Sequence, residues 1–203
     1  MNAPHDHTHF GDDEDSVSYY RTMEIAVREL LIEKNIFTAS DLRAQIEAMD
    51  ARSPARGAKV VARAWRDSDF KARLLANGAQ ACEELGLELG PLKLVVVENT
   101  AEVHNVIVCT LCSCYPRMLL GLPPDWYKSR EYRSRVVHEP RRVLEEFGTR
   151  LPEQVALRVH DSTADMRYLV LPMQPAGTDA LDESALSALV TRDAMIGTAV
   201  IDR

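Results

Sequence analysis

Three cysteines lie within six residues near the middle of the chain, where Cys109, Cys112 and Cys114 form a C-x-x-C-x-C pattern. An apolar run over residues 104–108 precedes them and predicts a strand, and a proline-containing loop follows over residues 115–124. Thiolates on one short loop at the end of a strand form a ready-made site for a soft metal ion. We therefore expect the rest of the chain to shape and cover this loop.

The loop offers nitrogen donors as well as sulfur. The thiolates of Cys112 and Cys114 flank two backbone amides, those of Ser113 and Cys114. If both amides lose their protons, two sulfurs and two nitrogens can occupy the corners of a square through unstrained chelate rings. Cys109 then reaches an axial position, and the opposite position stays open to water or substrate. Only a strongly Lewis-acidic ion displaces amide protons, so this arrangement favours trivalent cobalt or iron.

The cysteine spacing alone leaves two other interpretations open. A tetrahedral zinc site would use the three thiolates with His104 or Cys82 as the fourth ligand. A redox dithiol would use Cys109 and Cys112 as a C-x-x-C pair, although no thioredoxin-like pattern of elements surrounds them. The spacing does not choose between these two sites and the trivalent-metal site.

The composition excludes several other classes of protein. The chain has 203 residues, of which 46% are hydrophobic and 27% charged, as is typical of one sizeable globular domain with or without an arm. Its net charge of -7 argues against a nucleic-acid partner. No stretch is apolar enough to span a membrane, and the N-terminus lacks the features of a secretory signal, so we expect a cytoplasmic protein. In that compartment, clustered cysteines more often bind metals or act in catalysis than form disulfides.

The periodicity of the apolar residues predicts an α+β fold: a helical N-terminal arm, then an α/β sandwich-like domain that carries the metal loop. Thr38 and Asp41 form the capping-box pattern of a helix start. The predicted helices cover residues 16–35, 38–49, 57–65, 67–85, 131–137, 140–147 and 182–190, with one helical turn at 124–127 and a mixed segment at 194–200. The predicted strands cover residues 92–97, 104–108, 155–159 and 166–171.

Three regions follow from this pattern. Residues 1–15 form a tail rich in His and Asp, residues 16–86 the helical arm, and residues 87–203 the α+β metal-binding domain. His5, His7 and His9 alternate within the tail, either to capture a metal or as part of a disordered segment, which the composition favours.

Sequence blocks around the cysteines resemble the α subunits of the nitrile hydratases. The cysteine loop and its flanks match that family in order and spacing, so the resemblance is specific and covers most of the chain beyond about residue 20. The matching blocks are VCTLCSCYP at 108–116, LGLPPDWYKS at 120–129, YRSRVV at 132–137, DSTADMRYLVLP at 161–172, PAGT at 175–178 and LVTRDAMIG at 189–197, with GAKVVARAW at 57–65 and VENTAEVHNV at 97–106 upstream.

The resemblance implies an enzyme subunit that adds water to a nitrile and gives the amide. In the family, three cysteines and two backbone amides hold low-spin trivalent cobalt or iron. Carried over by motif, Cys109 is the axial thiolate, Cys112 becomes a sulfinic acid and Cys114 a sulfenic acid, and the amides of Ser113 and Cys114 complete the ligands. Thr110 stands where iron-type members usually have serine, which implies cobalt, Co(III), rather than Fe(III).

The resemblance also implies a mechanism and partners. The metal acts as a Lewis acid on the nitrile, and the nucleophile is either the sulfenate oxygen of Cys114, the catalytic residue, or a metal-activated water. A separate β subunit supplies two arginines to the oxidised sulfurs, so we expect the isolated chain to be inactive. The partners are therefore a β subunit, or β and γ subunits, with a small-molecule nitrile and a metallochaperone.

One departure from the family bears on the substrate. Arg117-Met118 follows Cys-Tyr-Pro, where many members have Trp-Pro. An arginine here resembles thiocyanate hydrolase and the toyocamycin-type nitrile hydratases, so we expect a polar or nucleoside-type nitrile. We assign Arg117, Thr110 and Tyr115 to the substrate pocket and Arg167 to a supporting position behind the ligands. The alternatives are a thiocyanate hydrolase subunit and a non-catalytic zinc-binding interaction module.

Overall fold

The structure is a computed structural model that describes residues 14–201. The interpretation of His5, His7 and His9 lies outside these residues. The described chain divides into two compact units, the first ending at Ala48 and the second beginning at Met49. Within residues 14–201, no helix combines the length and the apolar character needed to cross a bilayer.

The first unit consists of two helices, α1 (Glu14–Glu33) and most of α2 (Ala39–Asp50). The predicted capping box forms at the start of α2. The carboxylate of Asp41 accepts hydrogen bonds from the amide and hydroxyl of Thr38 at 2.9 and 2.7 Å, and the hydroxyl accepts one from the Asp41 amide at 3.1 Å. These bonds lower the pKa of Asp41. The capping box therefore satisfies the free donors at the helix start.

Both helices leave apolar side chains in solvent. No residue of α2 is buried. Helices in water normally draw most of their stability from packing an apolar face. The exposed apolar residues of the first unit are Tyr19, Tyr20, Met23, Ile25, Val27, Leu30, Ile36 and Ile46.

The second unit contains nine helices and four strands among the described residues, and it confirms the α+β prediction. Its helices are α3 (Ala55–Arg66), α4 (Ser68–Ala76), α5 (Gly78–Glu83), α6 (Arg117–Leu120), α7 (Asp125–Lys128), α8 (Arg130–Arg135), α9 (Pro140–Glu146), α10 (Glu183–Leu189) and α11 (Arg192–Ile196). Its strands are β1 (Lys93–Glu98), β2 (Val103–Val108), β3 (Ala156–Asp161) and β4 (Met166–Leu171). Each strand lies within two residues of its predicted position.

The strands form two small parallel sheets. β1 pairs with β4 from Lys93 opposite Met166, and β2 pairs with β3 from Val103 opposite Ala156. Strands that follow one another in the chain are therefore not paired. Their inward side chains share one core with α3, α4 and several helices that follow the cysteine loop.

Helices α3 to α5 belong to this second unit, whereas the sequence analysis assigned them to the arm ending at residue 86. The reason lies in α3, which buries Val60, Val61 and Ala62 completely in the common core. The predicted helix 67–85 is also divided. Asn77 ends α4 with an extended backbone and then caps α5, because its side-chain oxygen accepts from the Gln80 amide at 3.3 Å.

Gly197 fixes the last helix against strand β2. It ends α11 in the left-handed region, at φ 93°, and a Cβ atom there would lie 2.0 Å from the carbonyl oxygen of Asn105. Gly148 follows α9 at φ 86° but faces open space. Both glycines thus adopt a left-handed backbone conformation that favours glycine. Only Gly197 also lies too close to another strand to leave room for a Cβ atom.

We expect Gly197→Ala to destabilise the chain far more than Gly148→Ala. Both substitutions incur a left-handed penalty of about 1–2 kcal/mol, and only Gly197→Ala adds overlap with β2, at about 1–3 kcal/mol more. Urea unfolding followed by circular dichroism measures both free energies. Equal losses of stability for the two variants would contradict the close packing of Gly197 on β2.

Candidate metal centre

The cysteine loop begins where two parallel strands end together. Val108, the last residue of β2, pairs with Asp161, the last residue of β3, and the Ser162 amide donates to the Val108 carbonyl at 2.7 Å. The Asp161 carboxylate then accepts hydrogen bonds from the Thr110 amide at 2.9 Å and from its hydroxyl at 2.5 Å. The end of β3 therefore holds the first turn of the loop.

The loop brings the three predicted thiols together. The Cys112 sulfur lies 3.5 Å from that of Cys109 and 3.3 Å from that of Cys114, and the three sulfurs lie within 4.8 Å of one another. Cys109 is buried, Cys114 is partly exposed and Cys112 is exposed. All three are free thiols. The cluster is thus anchored inside the protein and open on its outer side.

Backbone amides also point into the cluster. The Cys112 amide donates to the Cys109 sulfur at 3.3 Å. Hydrogen bonds with the Cys114 and Cys109 thiols, and then with the amides of Ser113 and Cys114, lower the pKa of Cys112. Burial first, then the neighbouring thiols, raise the pKa of Cys114 to about 12, and the charge of Arg167 opposes this. Sulfur and backbone amide nitrogen are therefore close together in the loop.

Aromatic residues pack against the buried side of the loop. The Tyr127 hydroxyl donates to the Cys114 carbonyl at 2.9 Å, and the Tyr132 hydroxyl donates to the Ile107 carbonyl at 2.7 Å. Burial raises the pKa of both phenols, so they stay protonated and remain donors. Trp126 packs edge-on against Tyr132 at 4.9 Å between ring centres. The two hydroxyls thus hold the backbone before and within the loop by hydrogen bonds.

A cavity of about 190 Å³ opens beside the loop. Tyr115, Arg117 and Arg167 line it, so the structure brings together three of the predicted pocket and supporting residues. Tyr115 is buried, and its hydroxyl has no hydrogen-bond partner among the described residues. Thr110 lies outside the cavity, on Asp161, and its predicted pocket role stays a prediction.

His104 serves the fold behind the loop. It is buried on β2, where its Nε2 lies 2.8 Å from the Gly197 carbonyl oxygen and its Nδ1 lies 3.2 Å from the side-chain Nδ2 of Asn99. Burial lowers its pKa, which keeps the ring neutral. Two polar partners thus occupy both ring nitrogens and leave none for a metal.

A tetrahedral zinc site lacks its fourth ligand among the described residues. Cys109, Cys112 and Cys114 are the single group of three or more metal-binding side chains that the described part of the chain brings together. Neither His104 nor Cys82 joins them, and burial raises the pKa of Cys82 to about 12. A tetrahedral zinc site would therefore need a ligand from elsewhere.

Sequence reasoning missed two residues that hold the loop. Asp161 stands at the end of a strand, but its position becomes visible only once β2 and β3 are known to pair. Arg133 donates to the carbonyls of Thr110 and Lys128 at 3.3 and 3.1 Å. No sequence signal separates such an arginine from one on the surface.

We expect Asp161→Ala to weaken metal retention, because it removes both hydrogen bonds that hold Thr110. Loss of such an outer support typically lowers metal affinity about 10–100-fold. Cobalt remaining after dialysis against a chelator, measured by elemental mass spectrometry, tests this. The matched control is Asp165→Ala, since Asp165 is also exposed and its carboxylate holds no part of the loop. Equal retention in the two variants would show that Asp161 is not a support.

Comparison with known protein families gives a match over most of the chain. The family described as "Nitrile hydratase, alpha chain" matches residues 18–199. A nitrile hydratase subunit alpha from Rhodococcus sp is 51% identical over 175 residues, covering 85% of this chain and 88% of the relative. A cobalt-containing nitrile hydratase subunit alpha from Pseudonocardia thermophila is 52% identical over 177 residues, covering 85% and 86%. A thiocyanate hydrolase subunit gamma from Thiobacillus thioparus is 41% identical over 198 residues, covering 92% and 82%.

Solved structures agree with these relatives. A recombinant thiocyanate hydrolase with partially modified cobalt centres superposes with a TM-score of 0.84 at 39% identity, covering 90% of this chain and 92% of the other. A double mutant of the Fe-type nitrile hydratase from Comamonas testosteroni Ni1 superposes with a TM-score of 0.84 at 43% identity, covering 93% and 92%. The neighbours thus include a cobalt and an iron protein.

Proposed function

The chain belongs to the nitrile hydratase α chain family, and we propose that it is the metal-bearing α subunit of a cobalt nitrile hydratase that hydrates a polar nitrile to its amide. The observation that carries this proposal is the cluster of Cys109, Cys112 and Cys114, with their sulfurs within 4.8 Å. The amides of Ser113 and Cys114 turn toward the same cluster. This donor set fits a trivalent ion that takes thiolate and amide nitrogen together.

We infer cobalt, as Co(III), rather than Fe(III). Thr110 stands where iron-type members of the family usually have serine, and two relatives at 52% and 46% identity are named as cobalt-containing. The iron-type neighbour keeps iron as the second candidate. When bound, the metal supplies Lewis acidity that polarises the nitrile.

The exposure of the three sulfurs supports different fates for them. We assign the sulfurs of Cys109, Cys112 and Cys114 and the amide nitrogens of Ser113 and Cys114 as the ligands. Cys109 is buried and would stay unoxidised, while Cys112 is exposed and would be oxidised to the sulfinic acid by an external oxidant. Cys114 is partly exposed and takes the sulfenic state. Cys114 is then the catalytic residue, whose oxygen, or a water beside it, attacks the nitrile carbon.

The open side of the loop supports a partner subunit. Leu111, at the tip, is 89% exposed, and the Cys112 sulfur faces solvent beside it. A β subunit, or β and γ subunits, would cover this side and supply arginines to the oxidised sulfurs. The exposed apolar residues of α1 and α2 support the same conclusion, because an arm of this kind gains stability by packing on a partner. Delivery of cobalt by a metallochaperone and a cytoplasmic location stay predictions.

Arg117 is the basis for a polar substrate and for the second candidate function. It lines the cavity beside the loop together with Tyr115. A long cation with several donors suits a polar or nucleoside-type nitrile, as in the toyocamycin-type enzymes, better than an aliphatic one. The same residue and the 41% identity to a thiocyanate hydrolase subunit favour thiocyanate hydrolysis as the alternative.

We expect the chain to be inactive alone and active with its partners. The purified single chain, loaded with cobalt, should hydrate nitriles at a small fraction of the rate of the co-expressed complex, because the arginines over the oxidised sulfurs come from the partner. Amide formation measured by chromatography tests this. Robust nitrile hydration by the single chain would contradict it, and release of carbonyl sulfide from thiocyanate in place of amide would favour the alternative function.

We expect Cys114→Ala to abolish cobalt binding and Cys82→Ala to leave it intact, since Cys82 lies outside the cluster. Elemental analysis and the sulfur-to-metal absorption band measure the effect. Intact mass of the complex should show added oxygen atoms that are lost with the thiols of Cys112 and Cys114. Stoichiometric zinc with unoxidised thiols would instead support the interaction module.

A further inference from the structure

The cavity beside the cysteine loop has an unusual charge pattern. Four cationic side chains line it: Arg52, Lys93, Arg117 and Arg167. Its lining contains no carboxylate among the described residues, and its other walls are mainly leucine, methionine and proline. Four cationic residues thus surround one mainly apolar cavity of about 190 Å³.

None of these four cations has an ion-pair partner in the part of the chain that the structure describes. By contrast, Arg63, Arg73 and Arg135 each pair with a glutamate. Like charges around one cavity repel, and the repulsion grows as water is removed. An anion bound in the cavity would therefore relieve this repulsion.

Arg167 is held in place beside the cavity. One of its terminal nitrogens donates to the carbonyls of Thr163, Ala164 and Met166, which fixes the guanidinium against the turn before β4. Its Nε is buried and has no hydrogen-bond partner among the described residues. The guanidinium is therefore fixed in place and keeps one donor free.

We propose that this cavity binds an anionic group of the substrate, so that the nitrile carries a carboxylate close to the group that is hydrated. The inference rests on the proposed function and narrows its substrate class. The planar forks of Arg117 and Arg167 suit a carboxylate, which accepts two parallel hydrogen bonds. The apolar walls suit a short carbon chain, and the volume is below the roughly 300 Å³ of a drug-sized pocket.

The position of the cavity supports this orientation. Tyr115 and Arg117 follow Cys114 directly in the chain, and both line the cavity. We therefore expect a ligand with its carboxylate among the cations to reach the cluster through a short chain. Cyanoacetate and β-cyanopropionate are the simplest molecules of this class.

The test uses the cobalt-loaded complex with its partner subunits and four substrates. Cyanoacetate is compared with cyanoacetamide, and β-cyanopropionate with β-cyanopropionamide. Each neutral nitrile has nearly the same shape as its acid. We expect kcat/KM to favour each acid by about tenfold or more, as for hydrogen bonds to a charged group. Arg117→Met should reduce this acid-to-amide ratio toward unity, and Lys93→Met should reduce it less because a lysine ammonium lacks the planar fork that makes two parallel hydrogen bonds to a carboxylate.

Lys59→Met is the matched control, because Lys59 is an exposed lysine that lines a different groove. It should leave the acid-to-amide ratio unchanged. Added salt should lower the ratio in the wild-type complex, since the contact is between charges. Equal kcat/KM for acid and amide in an active wild-type complex would overturn the inference and leave the proposed function standing.

A second measurement tests the anion site independently of the proposed nitrile hydration. Calorimetry with propionate, which has no nitrile, measures binding to the same complex without any reaction. Heat that is present in the wild type and lost in Arg117→Met supports the anion site, even if none of the four nitriles is hydrated and the proposed function fails. Absence of propionate binding overturns the anion site.

Discussion

The parallel pairing of β2 with β3 is the interaction on which the metal centre depends. Three cysteine sulfurs within 4.8 Å would repel one another as thiolates, so the loop must hold them in place before a metal binds. The loop keeps them together because its backbone is held at several points: Ser162 on Val108, Asp161 on Thr110, and the Tyr127 hydroxyl on Cys114. The first two contacts exist only because β2 and β3 end at the same level.

A buried polar network fixes β2 behind the loop. The Asn99 side-chain oxygen accepts from the Asn105 amide at 2.7 Å, and His104 bridges Asn99 and the Gly197 carbonyl. The Asn105 oxygen lies 2.8 Å from Nε2 of His160 on β3. Buried polar groups that are all paired permit one arrangement and penalise others. The network therefore holds the strand in one register while the Cys112 sulfur beyond its end remains open to solvent.

Local features of the fold were predictable, and long-range ones were not. The strands, the capping box at Thr38 and the cysteine cluster follow from periodicity and spacing within a few residues. The pairing of β1 with β4 joins segments far apart in the chain, and no local pattern encodes it. The support from Asp161 was hidden for the same reason. Asn77 was missed because a single cap within an apolar periodic stretch resembles an ordinary helical residue.

The order of the strands in the chain also determines when, during synthesis, the cysteine loop acquires its supports. The ribosome completes β1, β2 and all three cysteines of the loop before it begins β3 and β4, the strands that pair with them. Parallel pairs of this kind form slowly, since distant segments must meet first. A nascent chain therefore exposes its thiols without their supports until synthesis has passed Asp161. Assembly of the metal centre thus belongs to the end of folding rather than to its beginning.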